Sequence, residues 1–226
     1  MPEINQAENL KDVFNELAPR WYNRFHWTRF TPELSELAIK WQKGRLINLG
    51  CGHGAEFLPF KDNFELFGVD FSAGMLTQAQ RYADKFHFSA TFTEADIRSL
   101  PFPDSYFDWA VSVATYHHLE GPQEIARGLT ELYRILKPGG EAFLTFWNRH
   151  QPRFWFKKRE LMVPWRKGDK VLYRYYYLLS YKQAERLAEN SGFYLLSSKP
   201  ETGYRFPLKI FSRNICLFLK KTEQAQ

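Results

Sequence analysis

Short apolar runs and helically spaced apolar positions take turns along the chain. Runs at 46–49, 64–70, 88–93, 107–114, 141–147, 193–198 and 214–220 read as buried strands, short and without a helical period. Between them, apolar residues recur three and four positions apart. Leu10, Val13, Phe14 and Leu17 predict a helix over 8–18 that ends at Pro19. Leu34, Leu37, Ala38 and Trp41 predict a second, with Thr31 as N-cap, Pro32 at the first position and Gly44 closing it. A short helix over 55–60 stops near Pro59. Ser72 caps a helix through Gly74, Met75, Ala79 and Tyr82, and Ile125, Leu129, Leu132, Tyr133 and Leu136 share one face over 122–136. Ser180 and Gln183 make a capping box for a last helix that carries Leu187 and Ala188 and ends before Gly192. This alternation predicts an α/β fold built on a doubly wound, mostly parallel seven-stranded sheet. The Pro- and Gly-containing link before the last strand predicts an antiparallel C-terminal hairpin.

Two stretches show neither period. Residues 20–30 read as an arm laid over the surface, and 148–172 show no regular element before Tyr173. The whole of 1–226 reads as one domain, with a helical cap over 1–44, an insertion over 148–179 and a frayed tail over 222–226. With 226 residues and 44% hydrophobic positions, a sizeable core is expected. No apolar run approaches a membrane span and the N-terminus carries no apolar leader, so a soluble, cytoplasmic protein is expected. Cys51 and Cys216 stand alone, without the spacing of a zinc site or a disulfide framework. No metal is expected.

Charge changes the picture of the insertion. The net charge is +6, yet Arg149 to Arg174 alone carries +7, from nine Lys/Arg against Glu160 and Asp169. The remainder is slightly acidic. Trp155, Trp165, Tyr173, Tyr175, Tyr176 and Tyr177 lie in or beside the same stretch. Basic side chains bind phosphates and aromatic rings stack on unpaired bases, so an RNA partner is expected there. A solvated basic loop over an aromatic subdomain is the alternative.

The candidate chemistry starts at LINLGCGHG, residues 46–54. A buried strand running into Gly50, Gly52 and Gly54 reads as a tight turn whose bare backbone admits a nucleoside ligand. Asp70 closes the next strand twenty residues after Gly50, placed for both hydroxyls of a ribose. Asp96 follows the third strand, either as acceptor for an exocyclic amine or as a solvated loop acid.

LINLGCGHG, GVDFS, EADIRSLPF, FDWAVSVATYHHLE and LKPGGEAFLTF occur in that order over about residues 45–147. Together they resemble the motif series of class I S-adenosylmethionine-dependent methyltransferases. The resemblance implies a Rossmann-like methyltransferase with S-adenosylmethionine as cofactor. It puts Gly50, Gly52 and Gly54 against the methionine and ribose, Asp70 on the ribose hydroxyls, and Asp96 with Ile97 beside the adenine. Cys51, Phe71, Ser72, Met75 and Ala114 join that set, as does Asn48, which stands where many relatives carry an acid. His117 and His118 would face the methyl acceptor.

A narrower likeness lies outside this core. FNELAPRWYNRF, YHHL, VPWRKGDKVLYRYYYLLSYKQAERLAENSGF and SRNICLFLKK resemble the tRNA carboxymethyluridine methyltransferases, which esterify a wobble-uridine carboxylate. GYRFPLKIFSRN falls outside that likeness. The resemblance implies tRNA as partner, no DNA, and a small zinc-binding activator protein. A carboxylate acceptor is ionised at neutral pH and needs orientation rather than a general base. Arginine orients it bidentately, and Arg174 is the first candidate, Arg24 the second. A methyltransferase for a small acidic metabolite and a non-catalytic RNA-binding subunit are the other readings.

Overall fold

The computed structural model describes residues 10–167 and 169–222. Two helices, α1 (Leu10–Arg24) and α2 (Thr31–Trp41), precede the first strand, β1 (Gly44–Leu49). Then come β2 (Phe64–Asp70), α3 (Ala73–Phe86), β3 (Ala90–Glu94), β4 (Phe107–Val113), α4 (Gly121–Ile135) and β5 (Leu136–Trp147). A hairpin, β6 (Glu160–Lys167) and β7 (Lys170–Tyr177), leads to α5 (Tyr181–Asn190), β8 (Phe193–Lys199) and β9 (Asn214–Lys221). Seven strands form one sheet in the order β3-β2-β1-β4-β5-β9-β8, with β6 and β7 apart as a two-stranded sheet. Neighbours among β1 to β5 run parallel, and β9 runs antiparallel to both β5 and β8. The expected sheet and C-terminal hairpin are both present.

Alternate residues of each central strand feed opposite cores, as the pleat requires. Ile47, Phe67, Ala110 and Leu144 pack with Leu129 and Leu132 of α4 and Ala184 and Ala188 of α5. Leu46, Leu66, Val111 and Phe143 pack instead with Leu34, Leu37 and Trp41 of α2. Each buried Leu, Ile, Val or Phe among them contributes roughly 1.5–3 kcal/mol. That burial on both faces is why the strands read as near-continuous apolar runs.

Several boundaries differ from the sequence reading. Pro19 does not end α1, which runs on to Arg24. The amide lost at Pro19 would have bonded the carbonyl of Asn15, one bond out of the ladder. Burial of Leu17, Ala18 and Tyr22 on either side holds the helix together. The start of the predicted helix, at 8–9, lies outside the described residues, as do 223–226 of the predicted tail over 222–226. Thr31 is the first helical residue rather than the N-cap, and its hydroxyl donates to the Thr28 carbonyl at 3.0 Å. Gln42, at φ +64°, ends α2 and returns its N–H to the Ala38 carbonyl, while Gly44 opens β1. Residues Ala55–Phe60 form a 3-10 helix rather than an α-helix, with Pro59 inside it.

The largest difference is at 160–177. No strand is expected there, yet β6 and β7 pair throughout, with Val163 opposite Arg174 and Trp165 opposite Leu172. The inward positions of β7 are Leu172, Arg174 and Tyr176. A buried arginine in the middle of that row breaks the apolar alternation by which strands are recognised. Pro164 adds to the disguise, tolerated because β6 has one unpaired edge.

Candidate active site

The C-terminal ends of β1, β2 and β4 open into a cavity of about 1360 Å³, where ligands of open α/β sheets bind. At Gly50, φ is +68° and an added Cβ would lie 2.3 Å from the Thr115 side chain. Gly52, at φ +53°, has nothing within 4 Å of an added Cβ, so its bare face looks into the cavity. The turn is tied to β2 by the Cys51 amide, which donates to the Val69 carbonyl at 2.9 Å.

Asp70 closes the ring of contacts. Its Oδ2 accepts from the Gly52 amide and its Oδ1 from the Ser72 amide, each at 2.9 Å. The residue itself lines the cavity. Burial pushes its carboxyl up to about 6, against the pull of those backbone donors. Ser72 caps α3 through the Met75 amide at 3.1 Å and donates its hydroxyl to Asn15 Oδ1 at 2.7 Å. The same Asn15 oxygen accepts from the Gly74 amide at 2.9 Å. Helix α1 is thereby fastened to the start of α3, directly over the turn.

Of the expected cofactor residues, Gly50, Cys51, Gly52, Asp70, Phe71, Met75, Asp96, Ile97 and Ala114 line the cavity. Asn48, Gly54 and Ser72 stand behind its wall. Asn48 is buried. Beside it lies Glu56, which the sequence reading passed over. Burial pushes the Glu56 carboxyl up, with Thr28 and Asn48 opposing, so an acid faces the cavity although residue 48 is neutral. Asp96 receives Arg98 on both oxygens, at 2.9 and 3.0 Å from Nε. Arg98 also bonds Glu124 of α4, which fixes the loop after β3.

The acceptor side is aromatic and cationic. Arg174 is only 6% exposed and its Nε has no hydrogen-bond partner. Its guanidinium lies 5.1 Å from the Trp165 ring, 5.4 Å from Tyr176 and 5.7 Å from Trp21. Burial pulls it below the usual arginine range; Tyr176 opposes, while Arg153 and Arg24 add to the depression. Arg24 lies 5.1 Å from the same Trp165 ring. Both candidates therefore share one wall. His117 stacks on Tyr176 at 4.9 Å and 16°, and the Trp147 amide donates weakly to its Nδ1 at 3.4 Å. The His118 Nδ1–H donates to the Tyr175 carbonyl at 2.8 Å. Burial holds both rings neutral, His118 down at about 3 and His117 well below its ordinary value. Arg153, from the basic stretch read in the sequence, also lines the cavity, as do Arg29 and Arg213, which were not foreseen. Their positions in two loops and an unpredicted 3-10 turn left no periodic signal.

Sheet order, glycine turn and Asp70 give the chain the fold of class I S-adenosylmethionine-dependent methyltransferases, and the cavity fits that cofactor: an open Gly52 face, a buried carboxylate at Asp70 and an acid at Glu56. Residues 47–144 match the family model described as "Methyltransferase domain". The chain is 27% identical over 164 residues to the Probable tRNA methyltransferase 9B of Bos taurus, covering 72% of this chain and 34% of that protein. It is 29% identical over 153 residues to the tRNA (carboxymethyluridine(34)-5-O)-methyltransferase of Arabidopsis thaliana, covering 66% and 35%. The chain thus spans about a third of the length of these relatives. A S-adenosylmethionine-dependent methyltransferase from Clostridium acetobutylicum superposes with a TM-score of 0.74 at 12% identity, over 92% of this chain and 99% of that one. A methyltransferase solved with the Haloferax volcanii Trm112 activator gives 0.70 at 16%, over 96% and 99%. Both share the fold. Among the described residues, no helix is long and apolar enough to cross a membrane.

Proposed function

We propose that the chain methylates a carboxylate on an unpaired tRNA nucleotide, 5-carboxymethyluridine at the wobble position, to give its methyl ester. The observation that carries this reading is Arg174, a desolvated guanidinium with an unused Nε on the acceptor side of the cavity. A buried cation without a carboxylate partner is costly until an anion arrives. A planar carboxylate matches its fork.

S-adenosylmethionine supplies an electrophilic sulfonium methyl. Asp70 and the bare backbone at Gly50 and Gly52 hold the cofactor. Arg174 draws the acceptor carboxylate in and fixes its orientation, Arg24 adds charge, and Trp21, Trp165 and Tyr176 exclude water. No proton has to be removed from an acceptor that is already ionised. The two histidines agree with this: a ring held at about 3, with Nδ1–H committed to a carbonyl, is a feeble base. His117 and His118 serve as walls and hydrogen-bonding groups.

The test is transfer of labelled methyl to tRNA carrying carboxymethyluridine, followed by mild base. An ester releases volatile methanol. A base-stable product, or transfer to small carboxylic acids in place of tRNA, removes the assignment. The reading includes a small zinc-binding activator, supported by the shared fold with the Trm112-bound methyltransferase. Full activity of the purified chain alone would argue against that partner. A cytoplasmic location follows from the tRNA reading.

A further inference from the structure

A second cavity, of about 650 Å³, adjoins the first, and Arg153 and Arg213 line both. Its other walls are aromatic: Trp155, Tyr204, Phe206 and Phe211. They come from the segment after β5 and from the β8–β9 connection, both outside residues 47–144 of the methyltransferase family model. Trp155 and Phe206 are each 56% exposed. Both stand edge-on to Phe211, with ring centres 5.9 and 6.1 Å away. These rings are held in place. The Trp155 indole N–H donates to the His150 carbonyl at 2.7 Å, and the Tyr204 hydroxyl to the Leu208 carbonyl at 2.9 Å.

Exposed aromatic faces held rigid beside guanidinium groups match the two halves of a nucleotide, base and phosphate. Neither Arg153 nor Arg213 pairs with a carboxylate among the described residues. Burial pulls Arg213 down and the charges of Arg29 and Arg153 add to it, with only Glu201 opposing. An anion between these cations would relieve that crowding. Charge complementarity and continuity with the acceptor cavity therefore select the occupant.

We infer that Trp155, Phe206 and Phe211 form a stacking site for the unpaired base next to the methylated nucleotide, with the intervening phosphate on Arg153 and Arg213. This rests on the RNA reading above and extends it. The acceptor cavity takes one nucleotide and this platform takes its neighbour.

The test uses the full chain with bound S-adenosylhomocysteine and fluorescently labelled six-nucleotide oligoribonucleotides centred on uridine. One is intact; two others carry an abasic residue on the 5′ or the 3′ side of that uridine. Trp155→Ala and Phe206→Ala are expected to weaken the intact oligonucleotide about tenfold. The same variants leave one of the abasic oligonucleotides unaffected, because the base they would stack on is already missing. Arg153→Gln with Arg213→Gln removes one phosphate contact and is expected to flatten the log–log salt dependence by about 0.7. Retained S-adenosylhomocysteine affinity shows that each variant is folded. Unchanged affinity, or equal loss on all three oligonucleotides, overturns the platform while leaving the tRNA reading in place. A change in sedimentation of Trp155→Ala without a change in RNA affinity overturns it too, in favour of a protein interface. Failure of the wild-type chain to bind any oligonucleotide removes the RNA reading and this inference together.

Discussion

Arg174 occupies a position where a charge is expensive, and that expense is testable apart from activity. Replacing it by Met keeps most of the packing among Trp21, Trp165 and Tyr176 and removes a desolvated cation. We expect Arg174→Met to leave the melting temperature unchanged or raised, while methyl transfer falls at least about 100-fold, the order of roughly 3 kcal/mol. Arg174→Lys keeps the charge but loses the fork, and should fall between the two. A melting temperature well below wild type would mean that the side chain is structural instead.

Asp70 gives the pH dependence. Its carboxyl is raised from 3.8 to about 6, so ligand-free stability from this group is full below about 4 and lost as pH rises through about 6. Cofactor affinity has the opposite sign, because ribose hydroxyls donate to the ionised form. Calorimetric titration with S-adenosylhomocysteine should show affinity level above pH 6 and falling toward tenfold per pH unit below it. Flat affinity from pH 5 to 8 would exclude Asp70 as the titrating contact. Neither histidine at the acceptor wall should titrate in that range, since burial keeps both neutral.

At the scale of elements, α1 and α3 meet at a joint with no spare room. An added Cβ at Gly74 would lie 3.0 Å from the Asn15 carbonyl oxygen and 3.1 Å from its Cα, both backbone atoms of the other helix. Gly74→Ala should therefore push α1 off its seat despite the better helix propensity of alanine. We expect a loss of about 1–2 kcal/mol and faster proteolysis within α1, measured by denaturant unfolding and limited digestion. The same joint shows what a sequence can and cannot disclose. The Ser72 cap and the glycine turn are legible because local backbone chemistry demands those residue types within three positions. That Asn15 answers both Ser72 and Gly74 from nearly sixty residues away has no local signature. Strand β7 was hidden for the reverse reason: its pattern is local, but its central inward residue is a buried arginine, the one proposed to bind the acceptor. The residue that makes the hairpin useful makes it hard to read.

For the whole molecule, the asymmetry of charge matters more than its sum. Seven arginines, Arg24, Arg29, Arg98, Arg153, Arg166, Arg174 and Arg213, line one cavity. If several meet phosphates, tRNA affinity should fall with salt at a log–log slope near −0.7 per contact, about −2 to −4 in all. A slope near zero would leave only a small acid as acceptor. The sheet and the glycine turn followed from periodicity and spacing, since each strand carries its own signal. The acceptor side did not, because its residues converge from α1, the hairpin and the 200–213 connection, and only the fold brings them together.

The position of β9 has a consequence for how the molecule is made. This last strand lies inside the sheet, between β5 and β8, with Leu217 opposite Leu144 and Ile215 opposite Phe146. During synthesis, the parallel half of the sheet can assemble as soon as β5 is complete, but its apolar flank stays bare until Asn214–Lys221 follows. A growing chain therefore carries an open, sticky edge through most of its later elongation. Folding should depend heavily on chaperones, and chains truncated before Asn214 should aggregate rather than persist as soluble fragments.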